Sequence, residues 1–229
     1  MGHSGLYGAT NVADHSFPIF AIIASLSIGY LLGAVPIAAI ISRWHGVNIF
    51  AVGTGLPGAS NVLRSVGKVP AFLVLIGDMG KGAGAIMAGD ALGVSGPWLV
   101  VPASAAVLGH WRSVFTGFKG GDGLATLGGA IVAMFPAFGM ISVAVAMLVA
   151  LGGQLMPYSS LMSIVAGYAT LLGLNIAYDG ETTLAVGVGG LASLVLAHAI
   201  VGHRRRRTAG WEDLEMDDGA RAAGHTGTQ

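Results

Sequence analysis

"LATLGGAIVAMFPAFGMISVAVAMLVAL", residues 124–151, contains no charged residue and a single proline, Pro136, which follows Phe135. Read as one helix, it exceeds the roughly 20 residues needed to cross a bilayer. Proline lacks a backbone N–H and disfavours helix in the residue before it, so the run is predicted to end or kink at Pro136. The choice matters because it sets the parity of everything after it. Arg43, Arg64, Lys68, Arg112, Lys119 and Arg204 to Arg207 hold nearly all the basic residues, whereas Asp14, Asp90, Asp179 and Glu181 lie in segments without Lys or Arg. Basic loops mark the cytoplasmic side. One span would leave the tetra-arginine outside, whereas a split at Pro136 returns it to the cytoplasm. The expected fold is therefore all-α, a polytopic membrane bundle of about seven segments with the N-terminus out and the C-terminus in.

Composition leads to the same class. Hydrophobic residues make up 54% of the 229, charged residues 10%, and glycines number 38. Mean hydropathy is +0.75. Soluble proteins carry about 25% charged residues. Phe17 to Ser42, Val69 to Leu92, Tyr158 to Tyr178 and Thr183 to Val201 are expected spans, and Trp98 to Trp111 a shorter apolar segment. Short helices of about 12 residues, at 1.5 Å rise each, do not cross a core of about 30 Å unless tilted or covered by neighbours. With no cysteines, disulfides, thiolate catalysis and cysteine-ligated metals are excluded.

Residues 1–16 are expected to form a short extracytoplasmic segment, 17–203 the transmembrane domain, and 204–229 a polar cytoplasmic tail that is disordered toward its end. The N-terminus has no basic residue ahead of its first apolar run, so the first span is expected to be retained. Leu6 stands where a myristoylation signal needs Ser or Thr.

Polar chemistry concentrates in a few stretches. "GTGLPGASNVLRSVGK", Gly53 to Lys68, has glycines at 53, 55 and 58 that permit tight turns whose N–H groups converge on an anion. Ser60 or Asn61 is expected to cap a helix carrying Arg64. The competing reading is a plain inter-helix loop. "LGHWRSVFTGFKGGDGLAT", Leu108 to Thr126, runs into a helix at Leu124, and helix N-termini preceded by glycines bind phosphate. It lacks Walker A spacing, which gives nucleotide hydrolysis no support. His110, by spacing alone, reads as a hydrogen-bonded packing histidine rather than a proton carrier. "MPYSSLMSI", Met156 to Ile164, offers serines that either satisfy helix carbonyls or line the same pocket. Asp78 and Lys81 stand at i, i+3 within a span, which reads equally as a structural ion pair or a functional one.

Together these stretches resemble the bacterial acyl-phosphate:glycerol-3-phosphate acyltransferase family, the PlsY family, from about Gly29 to His203. A first motif like G-S-G-N-x-G-A-T-N-V-x-R-x-x-G is matched by Gly53 to Gly67. G-D-x-x-K-G is matched by Gly77 to Gly82, and G-H-x-x-S-x-F-x-x-F-K-G-G-K-G-x-A-T by Gly109 to Thr126. Y-x-S-L-x-S-I is matched by Tyr158 to Ile164. The resemblance implies a reaction needing no cofactor or metal: the hydroxyl of glycerol 3-phosphate attacks the acyl carbon of an acyl-phosphate, and phosphate leaves. It implies catalytic roles for Thr54, Arg64, Lys119 and His203. It further implies substrate contacts from Gly53, Gly55, Gly58, Ser60, Asn61, His110, Ser113, Gly120, Gly121, Gly123, Thr126 and Ser160. The implied partners are the two substrates and the bilayer, with no nucleic acid, and the implied place is the inner (plasma) membrane with the site near its cytoplasmic face.

This chain departs from the pattern at named positions. Thr54 replaces Ser and keeps the hydroxyl, whereas Leu56 replaces Asn and loses the polar group. Asp122 stands where the family has a second lysine, and Arg206 and Arg207 replace Asn and Ile of a last motif from which His203 survives. Unit charges about 4 Å apart interact by about 4 kcal/mol at an effective dielectric of 20, so a cation-to-anion exchange beside phosphate needs compensation. Arg206 or Arg207 is expected to supply it. A lipid-phosphate-binding protein without turnover and a small transporter are the alternatives, separated from the enzyme by an acyl-transfer assay and by flux in proteoliposomes.

Overall fold

The computed structural model describes residues 19–152 and 159–202. Every regular element among them is helical. In chain order they are α1 (Ile19–Ala34), α2 (Ile37–Trp44), α3 (Ala59–Ser65), α4 (Lys68–Ala91), α5 (Val100–Trp111), α6 (Leu124–Met134), α7 (Pro136–Gly152) and α8 (Ser159–Ala177), followed by α9 (Thr182–Gly202). The stretch Ile19–Trp44, α4 and α9 are each long and apolar enough to cross a membrane.

The expected break at Pro136 is present. Phe135 leaves the helical region at φ −131°, ψ 76°, and separates α6 from α7. The first run departs from expectation. Instead of one unbroken span from Phe17 to Ser42, the helix is interrupted at Val35 and Pro36, with Pro36 at φ −89°, ψ 65°. Pro36 cannot donate to the carbonyl of Leu32, and the Val35 N–H reaches that carbonyl instead at 3.3 Å. The carbonyls of Ala34 and Val35 are thereby released from the helical ladder.

Many large apolar side chains face outward, and small residues line the helix contacts. Ile19, Phe20, Val69, Met87, Leu148 and Leu194 are well exposed, whereas Ala34, Ala85, Ala103, Ala106 and Ala130 are buried. This suits a lipid surround, where apolar area gives no drive for helix association and close approach of backbones does. α1 lies against α5, and α4 against both α6 and α1. A Cβ on Gly33 would overlap the Ala106 backbone, and one on Gly82 the carbonyl of Thr126. α9 runs through the centre: its Leu191, Ala192 and Val195 pack with Ile86, Val107 and Leu127, and its Leu184 and Val188 with Phe135 and Leu171.

Candidate active site

The first glycine segment is built around Asn61. The side-chain amide donates to the carbonyls of Ile49 (3.2 Å), Val52 (3.0 Å) and Leu56 (3.0 Å). Its oxygen accepts from Thr54 N–H and Ser65 Oγ, both at 3.3 Å. Gly53 and Gly55, at φ +56° and +67°, turn the chain tightly enough for this, and a Cβ on Gly53 would overlap the Asn61 carboxamide. The expected cap at Ser60 or Asn61 is not formed. Gly58 is the N-cap of α3, no side chain caps it, and both residues lie inside the first turn. Asn61 is buried and committed to loop carbonyls, while Thr54, Ser60 and Arg64 are exposed. The Pro57 carbonyl, between them, reaches Gly121 of the second segment.

That second segment is tied to the break in the first helix. Ser113 Oγ donates to the released Ala34 carbonyl at 2.5 Å and accepts from the Phe115 N–H at 3.2 Å. The Ser113 carbonyl accepts from Phe118 N–H at 2.8 Å, and Thr116 Oγ1 bridges toward the carbonyl of Lys119. These bonds hold Phe118 at φ +62°, a conformation unfavourable for a bulky side chain. Tyr30 Oη donates to the Arg112 carbonyl at 2.7 Å. Further on, Gly121 N–H donates to the His110 carbonyl at 3.2 Å, and Trp111 Nε1 to the Asp122 carbonyl at 2.9 Å. Trp111 stacks on His198 of α9 with centroids 4.3 Å apart. Gly123, at φ +84°, caps α6, so the glycine run does enter a helix N-terminus at Leu124.

Beneath the loop lies a buried polar cluster. Lys81 Nζ is 2.8 Å from Asp78 Oδ1, 2.9 Å from His110 Nδ1 and 3.1 Å from the released Val35 carbonyl. Thr126 Oγ1 lies 3.3 Å from the same ring nitrogen. Asp78, Lys81, His110 and Thr126 are all buried. A buried ion pair that breaks is costly, and here both partners are further hydrogen-bonded or enclosed, so the cluster is a fixed part of the bundle. His110 is thus packed and hydrogen-bonded, as its spacing suggested, with Lys81 and Thr126 at its Nδ1.

A pocket of about 250 Å³, counting its open mouth, brings Pro57, Asp78, Lys81, His110, Ser113, Lys119, Gly120 and Gly121 to one place, with the α1–α2 break forming its other wall. An adjoining cleft of about 830 Å³ shares Pro36, Thr116 and Lys119 with it and adds Arg43, Asn48, Phe50 and Phe115. Gly123 and Thr126 stand behind the pocket, against Trp111 and His110 respectively. Thr54, Arg64, Gly53, Gly55, Gly58, Ser60 and Asn61 line neither cavity, although their segment contributes Pro57. The Ser160 side chain, His203, Arg204 to Arg207, and the segments 1–16 and 204–229 lie outside the described residues. Sequence reasoning overlooked the contributions of Pro36 and Arg43. The signal for Pro36 was present, since a proline stands inside an apolar run; for Arg43 there was none beyond its charge.

Known proteins share this architecture. A family model described as Glycerol-3-phosphate acyltransferase matches residues 22–208. The glycerol-3-phosphate acyltransferase of Rubrobacter xylanophilus is 37% identical over 203 residues, covering 86% of this chain and 95% of that one. The enzyme of the same name from Synechococcus sp. (strain JA-3-3Ab) is 44% identical over 147 residues, covering 64% and 71%. Among solved structures, the chain is similar to PlsY (YgiH), an integral membrane glycerol 3-phosphate acyltransferase. Its glycerol 3-phosphate form matches with a TM-score of 0.67 and 30% identity over 82% of this chain and 93% of that one. Its lysophosphatidic acid form matches with a TM-score of 0.64. With the family model matched across nearly the whole bundle and a relative 37% identical over 95% of its length, this chain belongs to the glycerol-3-phosphate acyltransferase family.

Proposed function

We propose that this membrane protein moves a fatty acyl group from an acyl-phosphate to glycerol 3-phosphate, giving lysophosphatidate for phospholipid synthesis. The observation that carries the reading is the convergence of Lys119, Gly120, Gly121, Ser113 and Pro57 on one pocket. The hydroxyl oxygen forms a bond to the acyl carbon, the bond from that carbon to the phosphate oxygen breaks, and the hydroxyl proton is balanced by the departing phosphate. No electron carrier or nucleotide enters the balance.

What the site must do is hold two phosphate groups and the charge that develops on the acyl oxygen. The Lys119 ammonium and the backbone around Gly120, Gly121 and Gly123 at the start of α6 suit that task, because fixed donors cost no reorganisation when charge moves. Arg64, the hydroxyls of Thr54 and Ser160, and His203 complete the proposed set. The adjoining cleft, with Arg43 beside Ile40, Phe50 and Phe115, suits a molecule that is anionic at one end and apolar at the other. We place this site at the cytoplasmic face of the plasma membrane, from the basic residues around it. Purified protein in detergent, given glycerol 3-phosphate and palmitoyl phosphate, is expected to form lysophosphatidate. Formation from acyl-CoA but not from acyl-phosphate would overturn the donor assignment, and formation from neither would overturn the reaction.

A further inference from the structure

A lysine ammonium carries three donors and no acceptor. Each donor of Lys81 has a partner: the Asp78 carboxylate, the Val35 carbonyl and His110 Nδ1. Toward the ammonium Nδ1 can take part only as an acceptor, with the Thr126 hydroxyl 3.3 Å and the Asp78 carboxylate 3.7 Å from the same nitrogen. The ring proton therefore sits on Nε2. That atom makes no hydrogen bond to protein among the described residues. It is turned to the glycine loop, since a Cβ on Gly121 would stand 2.5 Å from Nε2 and 3.0 Å from the Pro57 carbonyl. His110 is 8% exposed, and lines the pocket with Gly121 and Lys119.

We propose that Asp78 and Lys81 are positioning residues that lock His110 as an Nε2–H donor, and that this N–H binds a phosphoryl oxygen of the substrate held against the glycine loop. The identity of that substrate rests on the function proposed above. The arrangement follows the general rule that the hydrogen bond at one ring nitrogen decides what the other can do. It also assigns a negative role: His110 is no general base, because its one lone pair is taken by Lys81. The Val35 carbonyl that completes the lysine's set exists only because Pro36 interrupts the first helix, so the orientation of the ring depends on that break.

The test uses the full chain with ¹⁵N-labelled histidine in lipid nanodiscs, the His110 signal being assigned by its loss in His110→Gln. The expected spectrum shows Nε2 protonated and Nδ1 bare, with the Nε2 signal moving when inorganic phosphate or glycerol 3-phosphate is added. A proton on Nδ1, or a signal indifferent to both anions, would overturn the proposal. The double variant Asp78→Asn/Lys81→Met removes the pair without leaving a lone buried charge. It is expected to lose the single tautomer and to lower kcat/KM by about tenfold to a hundredfold, by analogy with removal of a partner that orients a metal-ligating histidine. Made in a His110→Ala background, the same double change should cost little more, because the pair acts through the ring. Fully additive losses, or a folded double variant with unaltered kcat and KM, would overturn the role. A chain that transfers no acyl group yet shows the Nε2–H ring and its phosphate-dependent shift would overturn the proposed reaction and support this inference.

Discussion

Asn61 satisfies the carbonyls of Ile49, Val52 and Leu56 with one amide group. Asn61→Ala leaves the buried Ile49 carbonyl without this donor, whereas the Val52 and Leu56 carbonyls keep the N–H groups of Gly55 and Gly58; at about 1 to 3 kcal/mol for a buried polar group so abandoned, a loss of that size is expected in thermal or denaturant unfolding. Asn61→Asp keeps the shape but, when ionised, offers only acceptors to carbonyls, so it should be worse than Ala. A second residue-scale expectation contrasts two glycines. Gly117, at φ +63°, has nothing within 4 Å of where a Cβ would stand, so Gly117→Ala should cost about 1 to 2 kcal/mol for the left-handed backbone and little else. Gly121→Ala drives a methyl onto His110 Nε2 and the Pro57 carbonyl, and is expected to abolish measurable acyl transfer while the protein still purifies as a folded species. At this scale the sequence was a partial guide. Residue type identified Asn61 and His110 as polar groups of interest, and spacing read His110 as packed and hydrogen-bonded, but local preference pointed Asn61 to a cap it does not form. The partners themselves, Ile49 for Asn61 and Lys81 and Thr126 for His110, come from elsewhere in the chain.

Pro36 and Pro136 do the same local thing and serve different ends. Pro136 follows Phe135, which packs at 5% exposure with Leu171, Leu184 and Val188, so this break turns the chain toward α8 and α9. Pro36 opens carbonyls that Ser113 and Lys81 then occupy. A proline inside an apolar run is visible in a sequence; the use made of the released carbonyls is not, because Lys81 and Ser113 are separated from them by 46 and 79 residues. Close helix contact is the other element-scale device. Gly33 and Gly109 let α1 and α5 touch backbone to backbone, with a Cβ on Gly109 overlapping the Tyr30 carbonyl. Gly33→Ala must push the two helices apart, at an overpacking cost of about 1 to 3 kcal/mol. The expected result is a lower melting temperature together with a larger loss of activity, because Ala34 and Ser113 are drawn apart along with the helices.

For the whole molecule, sidedness is open to a direct experiment, because there is no native cysteine. Single cysteines at His45 and at Asp179 are expected to react with an impermeant maleimide from opposite faces of the membrane, His45 from the inside, in intact cells against inverted vesicles; labelling of both from one face would refute the proposed orientation. Membrane character, the helical class and the family's glycine segments were all legible from composition and motif, since each depends on residue type or local order. The pocket was not, because its walls come from the α1–α2 break, from Asp78 and Lys81 of α4, and from the segment 110–121, which are far apart in the chain. Two short helices stand at that pocket: α5, which carries His110, has 12 residues, and α6, behind it, has 11, or about 18 and 16 Å at 1.5 Å per residue. Neither matches a hydrocarbon core of about 30 Å, so the lipids around them must thin or the protein must shield the difference. Hydrophobic mismatch is therefore expected to make acyl transfer depend on bilayer thickness, which activity in vesicles of shorter-chain against longer-chain lipids would check.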